Sequence, residues 1–371
     1  MTSPIAYLDW NATAPLRPEA AAAIGDILAQ TGNPSSVHRQ GRAARALLER
    51  ARVQVAEFLG AAPGEIVFTS GGSEANHLAL RGLGSRAVAV SAIEHDSVRQ
   101  AMPGAALLEV SADGVVDLAA LDRRLAALPG PALVSLMLAN NETGVIQPVA
   151  EAAAIVHRRG ALLHCDAVQG AGKLPLDRAA LGADLLTVSA HKLGGPAGVG
   201  ALVVASHVPL APLLTGGGQE RGRRAGTENL LGIAGFGAAC AAAAAAADVW
   251  IDIAALRDEA ERRLLAIAPE APIYGAGAPR LPNTLSIGMP GIAAATQVMA
   301  LDLAGVMVSA GAACSSGKVR RSHVLDAMGV AAADAECAIR ISLGWSTTPA
   351  EIDLLVEAWG ALYARTRANA A

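Results

Sequence analysis

Short apolar runs alternate with amphipathic stretches along the first two thirds of the chain. The runs at 132–139 and 185–188 are dominated by aliphatic residues, which predicts strands buried on both faces. Residues 41–59 place apolar side chains at helical spacing, so we predict an amphipathic helix whose arginines form a solvated face. Further strands are predicted at 65–69, 87–91, 161–165 and 201–205. Strands that alternate with helices in this way predict an α/β fold around a mainly parallel sheet.

The last third of the chain has a different composition. Two helices are predicted up to residue 267, and residues 269–282 are rich in proline and glycine. A further strand at 283–288 and an amphipathic helix at 349–367 follow. We therefore predict a large domain of residues 15–268 and a smaller α/β domain formed by residues 1–14 and 269–371.

Polar or small residues gather where the predicted strands end. Ser189, His191 and Lys192 follow the strand at 185–188, and a loop rich in glycine and proline comes next. Residues of the same kinds follow the other predicted strands: Gly72 and Ser73, His95, Asn141, and Asp166 and Gln169. Because open α/β sheets bind ligands at the carboxyl ends of their strands, these residues predict one shared site.

Lysine is scarce in this chain, which draws attention to each lysine that remains. There are three lysines and 26 arginines. A lysine fixed at a strand end, beside a hydroxyl and an imidazole, suits an amine that forms a Schiff base. We interpret Lys192 in this way, and we interpret Lys173 and Lys318 as solvated surface residues.

Bulk properties exclude several functional classes. The net charge is −4 and the isoelectric point about 6.1, which does not favour nucleic acid or anionic membranes as partners. The uncharged stretch at 229–247 is mostly alanine and glycine, and that at 281–301 is interrupted by proline, so we predict that neither spans a membrane. The N-terminus lacks the features of a secretory signal, so we expect a cytoplasmic protein.

The four cysteines show neither metal-ligand spacing nor a disulfide framework, so no metal site is predicted. Cys165 lies within a predicted strand, and we expect it to be core packing. Cys314 stands alone in a run of glycine, alanine and serine, where nothing is large enough to bury a thiol. We therefore expect an exposed, mobile and reactive thiol at Cys314.

Several of these segments together resemble one protein family. Ser-x-His-Lys followed by the glycine/proline loop resembles the cofactor lysine of the class V aminotransferase family, which uses pyridoxal phosphate (PLP). The segments Gly32–His38, Ser70–Asn76, Asn140–Gly144 and Gly216–Thr227 resemble other signatures of that family in the family's order. The segment around Cys314 resembles the persulfide loop of NifS/IscS-type cysteine desulfurases. The resemblance extends from Tyr7 to Gly344 and implies PLP fold type I, with a seven-stranded sheet in the large domain.

The resemblance also implies roles for individual residues. Lys192 bonds the cofactor and moves a proton, His95 stacks on the cofactor ring and can move protons, and Arg340 binds the substrate α-carboxylate. Other positions implied to bind PLP are Gly72, Ser73, Asn141, Asp166, Gln169, Ser189 and His191, and Asn141 and Asn33 are implied to contact substrate. Thr227 reaches the phosphate of a neighbouring subunit, which implies a homodimer with shared active sites. Of the three arginines in that loop, the resemblance singles out Arg224 and leaves Arg221 and Arg223 undecided.

The implied reaction converts L-cysteine to L-alanine and leaves a persulfide on Cys314 for a sulfur-acceptor protein. The acceptor, an Fe–S scaffold or a sulfur carrier, stays open, as does the choice between cluster assembly and tRNA thiolation. One alternative keeps PLP but is a selenocysteine lyase or an aminotransferase, with Cys314 incidental. Another is a non-catalytic sulfur carrier or scaffold. The joint presence of Lys192, Asp166, His95 and Arg340 argues against a scaffold, which has no need of the full set.

Overall fold

The computed structural model describes residues 5–311 and 321–370 of the 371. Within these residues the strands are, in chain order, β1 (Ala6–Tyr7), β2 (Ile66–Thr69), β3 (Ala87–Ser91), β4 (Ala106–Leu108), β5 (Ala132–Ser135), β6 (Leu162–Asp166), β7 (Leu185–Ser189), β8 (Gly200–Val204), β9 (Thr284–Gly288), β10 (Val306–Met307), β11 (Ser309–Ala310) and β12 (Ala338–Ser342). The α-helices are α1 (Pro18–Ile27), α2 (Arg39–Phe58), α3 (Gly72–Arg81), α4 (Asp96–Arg99), α5 (Leu118–Ala127), α6 (Val149–Arg158), α7 (Arg178–Leu181), α8 (Leu230–Ala245), α9 (Val249–Ile267), α10 (Ala294–Leu303), α11 (His323–Ala327), α12 (Ala332–Ala335) and α13 (Pro349–Ala370).

Seven strands form the central sheet. Their order is β2-β8-β7-β6-β5-β3-β4, and neighbours from β7 to β4 run parallel. Strand β8 pairs antiparallel with both β7 and β2 at one side of the sheet. Every residue of β5, β7 and β8 is buried, which explains their apolar sequences. The predicted α/β class with a mainly parallel seven-stranded sheet is confirmed.

One strand is shorter than the apolar run that predicts it. The run at 132–139 forms β5 only as far as Ser135. Beyond that point the Leu136 and Leu138 N–H groups donate to carbonyls of β6 at 3.0 and 2.8 Å. This segment stays buried beside β6, so the apolar pattern reports its burial and not the length of the strand.

Helices α2 and α8 pack closely against each other. A Cβ atom added to Gly237 of α8 would lie 2.9 Å from the Ala51 Cα of α2, so the two backbones need small residues where they meet. Helix α8 carries no charged residue and is rich in alanine and glycine, and its close packing against α2 explains this composition. Among the described residues no single helix has the length and apolarity of a membrane span, and one pair, α8 with α9, reaches both only together and with a bend of 77°.

A second hydrophobic core is built around α9, α10 and α13. It covers the antiparallel sheet β11-β12-β9 and the parallel pair β1-β10. Leu264 of α9 and Trp359 of α13 are both fully buried in this core. The predicted domain boundary between residues 268 and 269 stays a prediction. Helix α9 packs in the second core, which favours a domain boundary before Val249.

One arginine of α2 is buried, so the prediction that its arginines form a solvated face is wrong at this position. The side chain of Arg52 is 5% exposed and donates to both carboxylate oxygens of Glu220 at 2.8 Å. Glu220 lies in a short helical turn and has a φ of 46°, a backbone conformation that non-glycine residues rarely adopt. It also accepts a hydrogen bond from the Phe68 N–H of β2 at 2.9 Å. The ion pair therefore fixes the turn to the central sheet.

Replacing Arg52 with alanine should lower the free energy of unfolding by about 3–5 kcal/mol, because the Glu220 carboxylate is left buried and unpaired. Arg45→Ala is the matched control, since Arg45 is exposed on the same helix. It should change the free energy of unfolding by about 0.5 kcal/mol at most. Chemical denaturation measures both values, and equal stability of the two variants would contradict a structural role for the ion pair.

Candidate active site

A cavity of about 380 Å³ lies at the carboxyl ends of the parallel strands. Ten of the predicted site residues line it: Gly72, Ser73, His95, Asn141, Asp166, Gln169, Ser189, His191, Lys192 and Arg340. Strand β12 of the second sheet supplies Arg340, and the N-terminal segment adds Asp9 and Asn11, which were not predicted. The chain thus brings these side chains together from both sheets, and their individual roles stay predictions.

Two predicted residues do not line the cavity, and a third lies outside the described part of the chain. Asn33 and Thr227 are exposed and lie outside its lining. The Asn33 Oδ1 accepts a hydrogen bond from the Ser35 N–H within its own loop at 2.9 Å. Cys314 lies outside the described residues. The roles predicted for these three residues stay predictions.

Lys192 reaches the cavity from a short helical turn, Ala190–Lys192, that directly follows β7. Its Nζ donates to the carbonyls of Asn11 and Ala12, each at 2.7 Å. Burial, and then the Arg340 guanidinium, lower the pKa of Lys192 to about 8. Near neutral pH a larger fraction of this amine is unprotonated than in an ordinary lysine, which makes Lys192 a better nucleophile.

Lys173 is a second buried lysine, so the prediction that it lies on the surface is wrong. It is 6% exposed, and its Nζ donates to Asn11 Oδ1 at 2.8 Å and to Gln169 Oε1 at 2.9 Å. Burial, followed by the positive charges of Lys192 and Arg340, lowers the pKa of Lys173 well below its usual range. The burial of Lys173 is not apparent from the sequence, because its hydrogen-bond partner Asn11 lies 162 positions away along the chain.

Asp166 ends strand β6 as a buried carboxylate. Its Oδ2 accepts from the Asn76 side-chain amide at 2.8 Å, and its Oδ1 accepts from the Val168 N–H at 3.0 Å. Within the described part of the chain these two groups donate to the Asp166 carboxylate, and neither donor carries a positive charge. A buried carboxylate without a cation suits a ligand that brings a protonated nitrogen to it.

His95 is connected to Asp166 through two hydrogen-bonded side chains. The Ser97 N–H donates to His95 Nδ1 at 3.1 Å, and Ser97 Oγ lies 2.8 Å from the same nitrogen. The Asn76 amide donates to Ser97 Oγ at 2.9 Å and also to Asp166. Because His95 Nδ1 accepts a backbone N–H, the neutral ring carries its proton on Nε2. Asn76 and Ser97 were not predicted, although both follow predicted strands closely.

Gly72 and Ser73 begin helix α3, which is separated from the end of β2 by two residues. The first N–H groups of a helix have no partner within the helix, so this end of the cavity suits an anion such as a phosphate. The backbone is also tightly packed here, because a Cβ atom added to Gly200 would lie 2.8 Å from the Gly71 carbonyl carbon.

Arg224 forms an ion pair with a residue in the first turn of α3. Its Nε donates to Glu74 Oε1 at 2.8 Å and its Nη2 donates to Glu74 Oε2 at 3.2 Å. Arg223 instead donates to the backbone carbonyls of Gly64 and Ile66. Neither arginine is a freely solvated loop residue, and Arg224 ties the loop after the lysine motif to the start of α3.

Arg340 is held in place by two acceptors. Its Nη2 donates to Asp9 Oδ1 at 2.6 Å and its Nη1 donates to the Asn141 carbonyl at 3.1 Å. The carboxylate that pairs with Arg340 in this structure belongs to Asp9, and the predicted role of Arg340 in binding the substrate carboxylate stays a prediction. The Arg340 Nε is buried and has no partner among the described residues. Asp9 lies 331 positions away along the chain, which is why sequence reasoning did not find this pair.

His191 and Ser189 complete the wall around Lys192. Ser189 is buried, and His191 Nδ1 lies 3.1 Å from the Thr13 hydroxyl. Burial, and then the charge of Lys192, lower the pKa of His191 to about 4. The ring is therefore neutral near pH 7 and adds no second positive charge beside Lys192.

The cysteines that the structure describes are Cys165, Cys240 and Cys337, and all of them are buried. Burial raises the pKa of the Cys165 and Cys240 thiols well above the usual range. The cavity lining contains none of the three. Cys165 belongs to the main hydrophobic core, so its prediction as core packing is confirmed.

Comparisons with known proteins agree with this geometry. The family model described as aminotransferase class-V matches residues 6–355. A cysteine desulfurase of Cereibacter sphaeroides is 45% identical over 366 residues, which cover 95% of this chain and 94% of the relative. A cysteine desulfurase of Klebsiella pneumoniae is 42% identical over 373 residues, which cover 98% of this chain and 94% of the relative.

A solved structure supports the same assignment. The X-ray structure of a NifS-like protein from Rickettsia africae ESF-5 is 37% identical, with a TM-score of 0.91, and the match covers 97% of this chain and 99% of that chain. The span matched by the family model contains every described residue that lines the cavity. The chain therefore belongs to the class V aminotransferase family, among its cysteine desulfurases.

Proposed function

We propose that this protein removes the sulfur of L-cysteine with PLP bound at Lys192 and keeps that sulfur as a persulfide on Cys314. Cysteine desulfurase activity follows from the family to which the chain belongs. The observation that carries the proposal is the Lys192 amine, whose pKa is about 8, in one cavity with Arg340, Asp166 and His95. A selenocysteine lyase or an aminotransferase is the alternative that keeps the same cofactor.

The described residues fit PLP. The uncharged donors around the buried Asp166 leave its carboxylate free to pair with a protonated ring nitrogen. The start of α3 at Gly72 and Ser73 suits the phosphate, and Lys192 provides the amine. Bound at this place, PLP supplies an electron sink next to the α-carbon of an amino acid.

Arg340 and Asn141 fit the recognition of an amino-acid carboxylate. A guanidinium group binds carboxylates through a planar pair of N–H donors. Arg340 is 5% exposed and keeps its Nε free of partners within the described chain, while Asp9 and the Asn141 carbonyl fix the other end of the guanidinium. The fixed guanidinium orients the substrate relative to Lys192.

Lys192 and His95 are suited to moving protons. An amine with a pKa of about 8 both accepts and releases a proton readily near neutral pH, so Lys192 Nζ can take the proton from the substrate α-carbon. His95 carries a proton on Nε2 in its neutral form, because its Nδ1 accepts the Ser97 N–H.

Cys314 is the nucleophile that the remaining cysteines cannot replace. Cys165, Cys240 and Cys337 are buried and are not among the residues that line the cavity. The Cys314 thiolate bonds to the sulfur of the substrate as the carbon–sulfur bond breaks. The electron pair of that bond stays with the substrate carbon, which takes up a proton to complete L-alanine.

We also propose that the active sites are shared within a homodimer. Thr227 is exposed on its own chain, which fits a residue that acts in the site of a neighbour. An apolar groove beside the start of α3 contains Ser73, Leu213 and Leu214, and the two leucines are 44% and 50% exposed. Exposed leucines next to the phosphate end of the cavity support coverage by a second subunit.

The destination of the sulfur is proposed from the same resemblance. The persulfide passes to an acceptor protein, an Fe–S scaffold or a sulfur carrier, and so serves cluster assembly or tRNA thiolation in the cytoplasm. The negative net charge of the chain supports a protein acceptor over direct contact with nucleic acid.

Cys314→Ala should lose several orders of magnitude in alanine and sulfide formation from L-cysteine, because the variant has no group that replaces the sulfur nucleophile. It should still bind PLP, since Lys192 and Asp166 are unchanged. Mass spectrometry should find added sulfur on Cys314 of the wild type after incubation with L-cysteine.

Cys165→Ala, Cys240→Ala and Cys337→Ala are the matched controls and should remain active under identical cysteine and reductant. Wild-type rates of alanine formation by Cys314→Ala would contradict the persulfide step and would favour a direct lyase.

Mixing a Lys192→Ala chain with a Thr227→Ala chain should restore activity if Thr227 serves the neighbouring site. In a mixed dimer one site then carries both substitutions and the other carries neither, so random mixing returns roughly a quarter of the wild-type rate. Each variant is first assayed alone. Full activity of Thr227→Ala alone, or no recovery on mixing, would contradict the shared site.

A further inference from the structure

The surroundings of Lys173 are unusual for a buried lysine. Its Nζ contacts two amide oxygens, Asn11 Oδ1 at 2.8 Å and Gln169 Oε1 at 2.9 Å, and its partners in the described chain include no carboxylate. A buried ammonium group without a carboxylate is strongly unfavourable, whereas a neutral amine has two N–H donors for these two acceptors. The lowered pKa of Lys173 agrees with a neutral amine.

Lys173 favours one of the two possible orientations of the Gln169 side-chain amide. Because Lys173 donates, the Gln169 carbonyl oxygen lies towards it, and the Gln169 Nε2 then donates to the Asn11 carbonyl at 3.0 Å. The reverse orientation would place the Gln169 oxygen against the Asn11 oxygen, where two acceptors meet and neither is satisfied. Gln169 lines the cavity, so the amide orientation decides whether donors or an acceptor face the ligand.

The same contacts lead to Lys192. The Asn11 carbonyl accepts from both Gln169 Nε2 at 3.0 Å and Lys192 Nζ at 2.7 Å. One oxygen therefore divides its acceptor capacity between the amide and the catalytic amine. Lys173 donates to the Asn11 side chain and to Gln169, so it holds Asn11 and one of the two donors to its carbonyl without a hydrogen bond to Lys192.

We propose that Lys173 is a positioning residue that holds the Gln169 amide with its NH₂ group towards the Asn11 carbonyl, and that it thereby limits how strongly Asn11 binds the Lys192 ammonium. The inference deepens the proposed function, because it rests on Lys192 as the reactive amine. Loss of Lys173 leaves the buried Gln169 Oε1 without its donor, which favours movement of the amide away from its hydrogen bond to the Asn11 carbonyl. That carbonyl then becomes a better acceptor for a charged Lys192. The Lys192 amine should then hold its proton to higher pH.

Other charged groups act on Lys192 and must stay unchanged in the test. The Arg340 guanidinium of β12 lowers its pKa, whereas Asp9 of the N-terminal segment and Asp166 of β6 raise it. His191 lies next to Lys192 in the chain, and its lowered pKa keeps it neutral. Substitutions at positions 169 and 173 leave all of these groups in place.

The test measures how the rate of acetylation of Lys192 depends on pH in the full-length chain after removal of PLP. Peptide mass spectrometry quantifies the acetylated Lys192, and an added lysine peptide serves as the reference. The wild-type midpoint is expected near 8. Lys173→Met should raise it by roughly half to one pH unit, which corresponds to one hydrogen bond. The visible absorption of the holoenzyme should shift its pH midpoint in the same direction, because the Lys192 nitrogen is part of the chromophore.

The Gln169→Leu variant distinguishes an effect of Lys173 through the orientation of the Gln169 amide from a direct effect of the Lys173 charge on Lys192. If Lys173 acts through Gln169, then Gln169→Leu should raise the midpoint by a similar amount and Lys173→Met should add little to it in the double variant. Leu174→Ala is the structural control, since partly buried Leu174 packs on the core and its apolar side chain makes no hydrogen bond in this network. It should lower the melting temperature and leave the Lys192 midpoint unchanged.

Two results would overturn the proposal. One is an unchanged midpoint in Gln169→Leu, which decides the matter even if Lys173→Met fails to fold. The other is a Lys173→Met shift that persists in full in the Gln169→Leu background. Failure of the proposed function is recognised separately, because the acetylation midpoint of Lys192 is measured without cysteine and without the cofactor.

Discussion

Asn11 joins the central sheet, the second sheet and the reactive lysine through hydrogen bonds. Its side-chain amide donates to Thr284 of β9 at 2.9 Å, and its backbone N–H donates to Ser342 of β12 at 3.0 Å. Its carbonyl accepts from Lys192 and Gln169 on the side of the central sheet. Asn11 is 1% exposed, so each unpaired atom would carry a substantial cost. The cavity therefore depends on the N-terminal segment as much as on the strands that line it.

The charges of the cavity follow from this arrangement. Lys192 and Arg340 line the cavity, and the buried Lys173 donates to two other lining residues, Asn11 and Gln169. Burial and the neighbouring positive charges make both lysines weaker bases than usual. Asp9 pairs with Arg340, while Asp166 has uncharged donors. The result is one amine with a lowered pKa, one buried carboxylate with uncharged donors and one fixed guanidinium. These three groups are the ones that an amino acid and PLP require together.

Part of this site can be predicted from the sequence, because an apolar run followed by a polar residue marks the end of a buried strand. Asp166 follows an apolar run directly and Lys192 lies in the turn after another, so the sequence predicts both the strands and the polar residues at their ends. Lys173 and Arg52 have no such pattern. Each is buried by a partner more than 160 positions away, and a single sequence contains no signal that links an arginine in a helix to Glu220 in a distant turn. Long-range pairs of this kind require the folded structure.

Of the two lysines with a lowered pKa, Lys192 is the one proposed to bind PLP, and borohydride reduction of the holoenzyme tests that proposal most directly. Reduction makes the bond between the lysine and PLP permanent, and peptide mapping then locates the pyridoxyl group. The geometry predicts the pyridoxyl group on the peptide that contains Lys192. A pyridoxyl group on Lys173 would contradict the assignment of the reactive amine and, with it, the proposed arrangement of the active site.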